Sequence, residues 1–120
     1  MPGLAFQPPF QAPLLEEGAR ALMINVLVHH EVNDYPAWKS VFDAALDWRQ
    51  KNGERSHRIF HAVGNVNDLT LLFEWESLEK AHQFMASDEL KQRMASAGVK
   101  GQPQVAFLTE MYTVRRSSAD

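Results

Sequence analysis

The segment Leu69-Thr70-Leu71-Leu72-Phe73-Glu74-Trp75-Glu76-Ser77 constrains this chain more than any other. A dense apolar run ends at a tryptophan, turns acidic and meets Ser77 directly before the helical sequence Leu78-Glu79-Lys80-Ala81-His82-Gln83-Phe84. A serine at that point accepts from a first-turn amide, and Glu79 suits the positive end of the helix dipole. A strand that feeds straight into a helix, late in a chain that alternates the same two element types, leaves few architectures open.

The other segments supply the order. Leu22 to His30 is rich in β-branched residues and apolar on both faces apart from Asn25, so the strand it predicts needs cover on both sides. Asn33-Asp34 offers a helix N-cap, and Pro36 falls where its missing N–H costs little. Tyr35, Trp38, Phe42, Ala45 and Trp48 or Arg49 recur at helical spacing until Asn52-Gly53. His57 to Val63 reads as a second strand, residues 64–68 as a polar turn, and Leu69 to Trp75 as the third strand. The helix from Ser77 breaks and restarts at Ser87-Asp88, with Leu90 and Met94 on its buried side. Gly98 and Gly101-Gln102-Pro103 close it, and Val105 to Tyr112 reads as the final strand.

Right-handed crossovers turn the order β-α-β-β-α-β into a ferredoxin-like α+β sandwich: a four-stranded antiparallel sheet with the helices on one face. The other face is then an apolar patch in need of cover, and the same face of a second copy is the natural cover. This predicts a homodimer through the sheet face, a dimeric α+β barrel. On the third strand Leu69, Leu71, Phe73 and Trp75 form the better helix-facing set; Thr70, Leu72, Glu74 and Glu76 form the better interface set. The barrel domain is expected over residues 22–113, with a frayed tail over 114–120. Residues 1–21 hold four of the six prolines together with Phe6, Phe10, Leu14 and Leu15. They read either as an extended arm that packs on a partner or as an extension ahead of a natural start at Met23.

Composition removes several function classes. A net charge of -3, with no basic cluster beyond Arg115-Arg116, argues against a nucleic-acid partner. The absence of cysteine excludes disulfides, thiolate metal sites and thiol nucleophiles, and a cytoplasmic location fits. No apolar run approaches the roughly 20 residues that span a bilayer, and the proline-broken N-terminal segment does not read as a signal peptide. Glycine-rich phosphate loops and nucleophile elbows are missing as well.

Three segments carry a family resemblance: Phe73-Glu74-Trp75-Glu76-Ser77, Phe84-Met85-Ala86-Ser87-Asp88-Glu89-Leu90 and Arg55-Ser56-His57-Arg58-Ile59-Phe60. Over roughly residues 22–113 the chain resembles the antibiotic-biosynthesis-monooxygenase-like branch of the dimeric α+β barrel superfamily. The resemblance implies a small-molecule enzyme, a cofactor-independent monooxygenase or a cyclase or isomerase acting on a planar aromatic or polyketide-like substrate. The alternative is a non-catalytic ligand-binding or stress-associated dimer. Haem-degrading members are similar in pairing a strand-one Asn with a Trp that ends strand three, here Asn25 and Trp75. Met94 stands where their haem-ligating histidine falls, so no haem, and no cofactor of any kind, is expected.

The candidate catalytic residues follow from chemistry. Asn25 is a lone amide in an apolar strand, where a polar group needs a partner or a ligand. His57 and His30 are candidate general bases, since imidazole titrates near neutrality. Trp38, Phe42, Trp75 and Phe84 are expected to line a flat-ligand pocket, and Arg58 to anchor an anion. His57 and His61 share a strand face but lie about 13 Å apart, and His29 and His30 point to opposite faces, so no metal site is expected.

Overall fold

The computed structural model describes residues 23–116. Eight elements follow in order: β1 (Ile24–Val32), α1 (Tyr35–Ala44), α2 (Leu46–Lys51), β2 (Glu54–Ala62), β3 (Asn65–Trp75), α3 (Leu78–Met85), α4 (Asp88–Ser96) and β4 (Val99–Leu108). The strands form one sheet in the order β2-β3-β1-β4, and every neighbouring pair is antiparallel. This is the ferredoxin-like arrangement, with each helical half built as a broken pair.

The phase of the sheet follows its apolar pattern. Val26, Val28 and Val32 of β1 and Leu69, Leu71, Phe73 and Trp75 of β3 are buried under the helices. Trp38, Phe42, Ala81 and Phe84 come down from the helices to complete the core. The registers Val26↔Phe73 and Val28↔Leu71 hold the inner residues opposite one another. The registers Asn25↔Glu74 and Leu27↔Leu72 do the same for the outer face.

Helix ends explain why the two helical halves lie where they do. Ser77 Oγ accepts from Lys80 N at 3.1 Å, and Ser87 Oγ accepts from Leu90 N at 3.2 Å, so both serines cap as the sequence indicates. Asp34 occupies the N-cap of α1 without a side-chain cap bond. Instead Tyr35 N donates to Asn67 Oδ1 at 2.9 Å, so a residue from the start of β3 caps the helix across the fold.

The expected single helix up to Asn52-Gly53 breaks at Ala45, and α2 restarts at Leu46. Gly53 has φ 119°, and a Cβ there would meet Trp75 Nε1 at 2.5 Å. Only glycine allows the chain to pass this close to the tryptophan. Trp75 Nε1 in turn donates to Asn52 O at 2.9 Å, and Glu76 N donates to Gly53 O at 2.9 Å. The strand-to-helix junction is thus pinned to the end of α2.

Strand limits differ from expectation in all four strands, and β1 runs past His30 to Val32. The hairpin turn shortens to Val63-Gly64, and β3 begins at Asn65 rather than Leu69. β2 begins at Glu54. β4 begins at Val99 and ends at Leu108, so Gly101-Gln102-Pro103 lies within a strand, and residues 109–116 form no regular element. An edge strand accepts a proline because only one of its sides must donate to a neighbour. β4 pairs with β1 alone. The expected arm at 1–21 and the last tail residues, 117–120, lie outside the described residues. No helix among the described residues is long and apolar enough to cross a membrane.

Candidate functional site

A cavity separates the inner face of the sheet from the helices. It opens to solvent and is lined almost wholly by apolar side chains. The floor is Val28, Leu71 and Phe73, the roof comes from α1 and α2, and Phe84, Leu90, Arg93 and Met94 form the far wall. Arg93 lies over the Trp48 ring at 4.1 Å and is held by Glu89 at 2.9 Å, which makes the rim polar.

Two buried polar side chains border this apolar space. His30, on the inner face of β1, is 4 % exposed, and its Nδ1 is buried with no partner among the described residues. Burial pushes its pKa below the ordinary histidine value, so the ring is neutral at neutral pH. The ring meets Trp38 edge-on at 5.8 Å, and Trp38 stacks on Phe42 at 4.8 Å. At the other end of that stack Arg49 places its guanidinium 3.7 Å above the Phe42 ring. Arg49 Nη1 donates to Phe42 O at 2.7 Å and Nε to Glu54 Oε1 at 2.5 Å. Its Nη2 is buried with no partner among the described residues. Buried donors and acceptors are normally paired, so these two atoms, on residues that border one aromatic cavity, are exceptions.

Glu54 extends the network. Its Oε2 accepts from His57 Nδ1 at 3.0 Å, and the His57 ring packs edge-on to Phe42 at 4.9 Å. Glu54 and His57 are three apart in sequence, so an unbroken strand would send them to opposite faces. The register shift between Glu54 and Ser56 re-phases the strand: Glu54 pairs with Trp75 and His57 with Phe73, both inner residues. A β-bulge therefore builds the buried Arg49–Glu54–His57 chain.

The residues expected from sequence divide between two faces. His30, Trp38, Phe42 and Phe84 line the cavity together. His57 stands behind Phe42 and reaches the site through Glu54. Trp75 is fully buried and spends its N–H on Asn52 O, which places it in the core beneath Phe84. Asn25 and Arg58 lie on the outer face, Asn25 opposite Glu74 and Leu108, and Arg58 over the Phe60 ring at 5.0 Å. Asn25 and Trp75 thus face opposite sides of the sheet and do not frame one pocket. Among the described residues no three metal-ligating side chains converge.

Arg49 and Glu54 were not legible as site residues. Arg49 falls on the apolar stripe of its helix, where charge reads as an accident of spacing. Glu54 depends on a bulge that no period announces. The one available signal was the pair itself, opposite charges on either side of Asn52-Gly53.

No protein-family model matches the chain, and no match to a curated protein was found. Solved structures do match. A conserved protein from Methanosarcina mazei Go1 superposes with TM-score 0.63 at 17% identity, covering 79% of this chain and 99% of that chain. The ActVA-Orf6 monooxygenase of Streptomyces coelicolor, in complex with Nanaomycin D, gives 0.60 at 20% identity, covering 81% and 95%. SnoaB, a cofactor-independent oxygenase from Streptomyces nogalater, gives 0.63 at 13% identity, covering 78% and 98%. At these identities the likeness is one of fold: the chain has the ferredoxin-like α+β fold of the antibiotic biosynthesis monooxygenase-like proteins.

Proposed function

We propose that the protein is a cofactor-independent oxygenase of a planar, polycyclic aromatic substrate, working as a homodimer with one site per protomer. The observation that supports this best is that His30 and Arg49, each with a buried side-chain nitrogen that has no partner among the described residues, both line one aromatic cavity. The flat walls favour fused rings, and the two polar atoms favour a ring system with an acidic C–H or O–H at one point and an oxygen acceptor at another.

In this reading the substrate is its own reductant. Neutral His30 takes a proton from an activated ring CH₂ or phenol, which leaves an electron-rich anion whose charge gathers on the ring oxygen. Arg49 donates to that oxygen, a preorganised donor placed where charge develops. The anion then reduces O₂. For a CH₂ centre one oxygen atom is kept as a new carbonyl and the other leaves as water, with the CH₂ hydrogens in that water, so no outside electrons are needed. A neutral general base is the right protonation state for the first step, and positioned bases contribute roughly 10²–10⁴-fold.

The outer sheet face supports the dimer. Leu27, Leu72 and Ala106 lie there half-buried, and Phe60 and Leu108 are exposed beside them. A patch of this kind on a small domain calls for a partner.

Oxygen uptake with anthrone tests the activity. Consumption of one O₂ per anthraquinone formed, lost about 100-fold in kcat when His30→Phe replaces the base, is the expected result. Anthrone binding without turnover in the wild type would favour the second reading, a ligand-binding dimer that keeps the fold without the chemistry.

A further inference from the structure

We propose that Arg49 is the ligand-binding donor of the cavity, and that Glu54 tunes it to a neutral carbonyl oxygen rather than an anion. This rests on the cavity being the ligand site, and it adds which atom meets the ligand and which charge state the ligand carries.

Geometry limits what Arg49 can do. Guanidinium has five N–H donors in a rigid plane. Its Nε is committed to Glu54 and its Nη1 to the Phe42 carbonyl, while the Phe42 ring fills the space below Cζ. A group fixed on three sides cannot swing to seek a partner. Its Nη2, which carries two N–H groups and has no partner among the described residues, is left to donate to the oxygen of a ligand held in the cavity beside Phe42.

Charge sets the preference. An isolated buried arginine would attract an anion strongly. This one is 4 % exposed beside a carboxylate that is 1 % exposed, so the pair is already neutral. An anionic ligand would add a net buried charge to a compensated pair, and that costs desolvation with little Coulombic return. A neutral carbonyl takes the open N–H and adds no charge. Proton transfer to His30 after binding moves charge within the cavity without importing any, so a substrate that enters neutral and ionises inside keeps the whole site at one net charge.

Glu54 and His57 are positioning residues in this scheme. Glu54 fixes the guanidinium plane and cancels its charge, and His57 donates to the oxygen that Arg49 leaves free.

Two naphthoquinones of nearly equal shape separate the alternatives. Menadione is neutral, whereas 2-hydroxy-1,4-naphthoquinone is an anion at pH 8 with its charge shared onto the ring oxygens. With no cysteine in the chain, menadione cannot be trapped by a thiol. Calorimetric titration at pH 8 should show wild-type protein binding menadione at least tenfold more tightly than the hydroxy analogue. Glu54→Gln keeps an acceptor for Arg49 but removes the compensating charge, and should shift the ratio at least tenfold toward the anion. That variant could be too unstable to titrate, since it strands a buried cation. The double variant Arg49→Met/Glu54→Leu removes both charges and should fold. It should bind menadione about tenfold more weakly while still rejecting the anion, which an apolar cavity cannot compensate. A wild-type protein indifferent to ligand charge, or a double variant that binds menadione undiminished, would overturn the role of Arg49 and leave the cavity as the ligand site. Binding of neither quinone by the wild type would overturn both readings.

Discussion

The two faces of the sheet are made by alternate residues of the same strands, yet they solve different problems. Under the helices, Val26, Val28, Leu69 and Trp75 are at most 1 % exposed, and the few buried polar side chains there are hydrogen-bonded or belong to residues that border the cavity. On the outer face, apolar and polar residues mix. His29 binds Asp68 and Gln104, Ser56 binds Glu74, and leucines stand half-buried between them. The inner face is closed by this chain; in the proposed dimer the outer face is finished by a second copy. In that reading an unpaired polar group on the inner face bears on a ligand, and one on the outer face on a partner.

The largest test of that contrast puts the same charge on adjacent residues. Val28→Asp buries an unpaired carboxylate and should cost about 3–5 kcal/mol, enough to leave little folded protein. Leu27→Asp points the charge outward and should leave a folded protein that sediments as a monomer at micromolar concentration. Circular dichroism reads the first and sedimentation the second. A Leu27 variant that unfolds like the Val28 variant would erase the distinction between the faces.

Next in size is the buried pair. Glu54→Leu alone leaves Arg49 charged and uncompensated, and should cost about 3–5 kcal/mol. Adding Arg49→Met should restore most of that loss, because a buried ion pair replaced by apolar groups is often neutral in stability. Denaturant melts of the single and double variants measure the difference. An equal loss in both would mean that packing against Phe42, rather than charge, sets the cost.

His29 and His30 carry the contrast into pH dependence. His29 Nε2 and Nδ1 both face acceptor oxygens, Asp68 Oδ1 at 2.6 Å and Gln104 Oε1 at 3.3 Å, so both bonds form fully only in the imidazolium. Its pKa is raised, first by the Asp68 bond and then by Gln104. That stabilisation is present below the ordinary histidine value of about 6.5 and is lost as pH rises through the higher folded value. His30 has the opposite sign. Its burial lowers the folded pKa, so the unfolded chain takes up the proton first and stability falls as pH drops below about 6.5. Melting temperatures from pH 5 to 8 should show His30→Leu losing the acid-side decline and His29→Leu losing the decline as pH rises above about 6.5. The same sign for both would mean that the two rings do not face different environments.

How much of this the sequence carried depends on whether a period or a contact decides the feature. The phase of β3, the two serine caps and the element order rest on local spacing, and each can be read from the residues. The site depends on events that leave no period. A bulge at Arg55 turns Glu54 inward, a break at Ala45 turns Arg49 toward it, and only the folded pair shows why a charge sits in an apolar stripe. Strand β4 fails for another reason: Gly101 and Pro103 are breakers in a central strand but are tolerated at an edge, and edge status is a property of the sheet rather than the segment. Asn25 shows the limit most plainly, because a lone amide in an apolar strand signals an unusual site without saying on which face.

The smallest expected effect belongs to that residue. Asn25 is half-buried on the outer face, opposite Glu74 and Leu108, with the sheet between it and the cavity. Asn25→Leu should change monomer stability by no more than about 0.5 kcal/mol, or roughly 2–4 °C in a domain of this size. Menadione affinity should not move, since no cavity contact is lost. The change that remains is in association. Leucine beside Leu27 and Leu108 extends the apolar patch and should tighten the dimer modestly, unless the amide meets a polar group of the second copy. In that case the partner group is stranded, and the variant loses about 1–3 kcal/mol of dimer stability. Sedimentation across a concentration series, with menadione titrated in parallel, separates these results. Lost quinone affinity with an unchanged dimer would make Asn25 a ligand residue acting through the sheet, and the division of labour between the two faces would fail at that point.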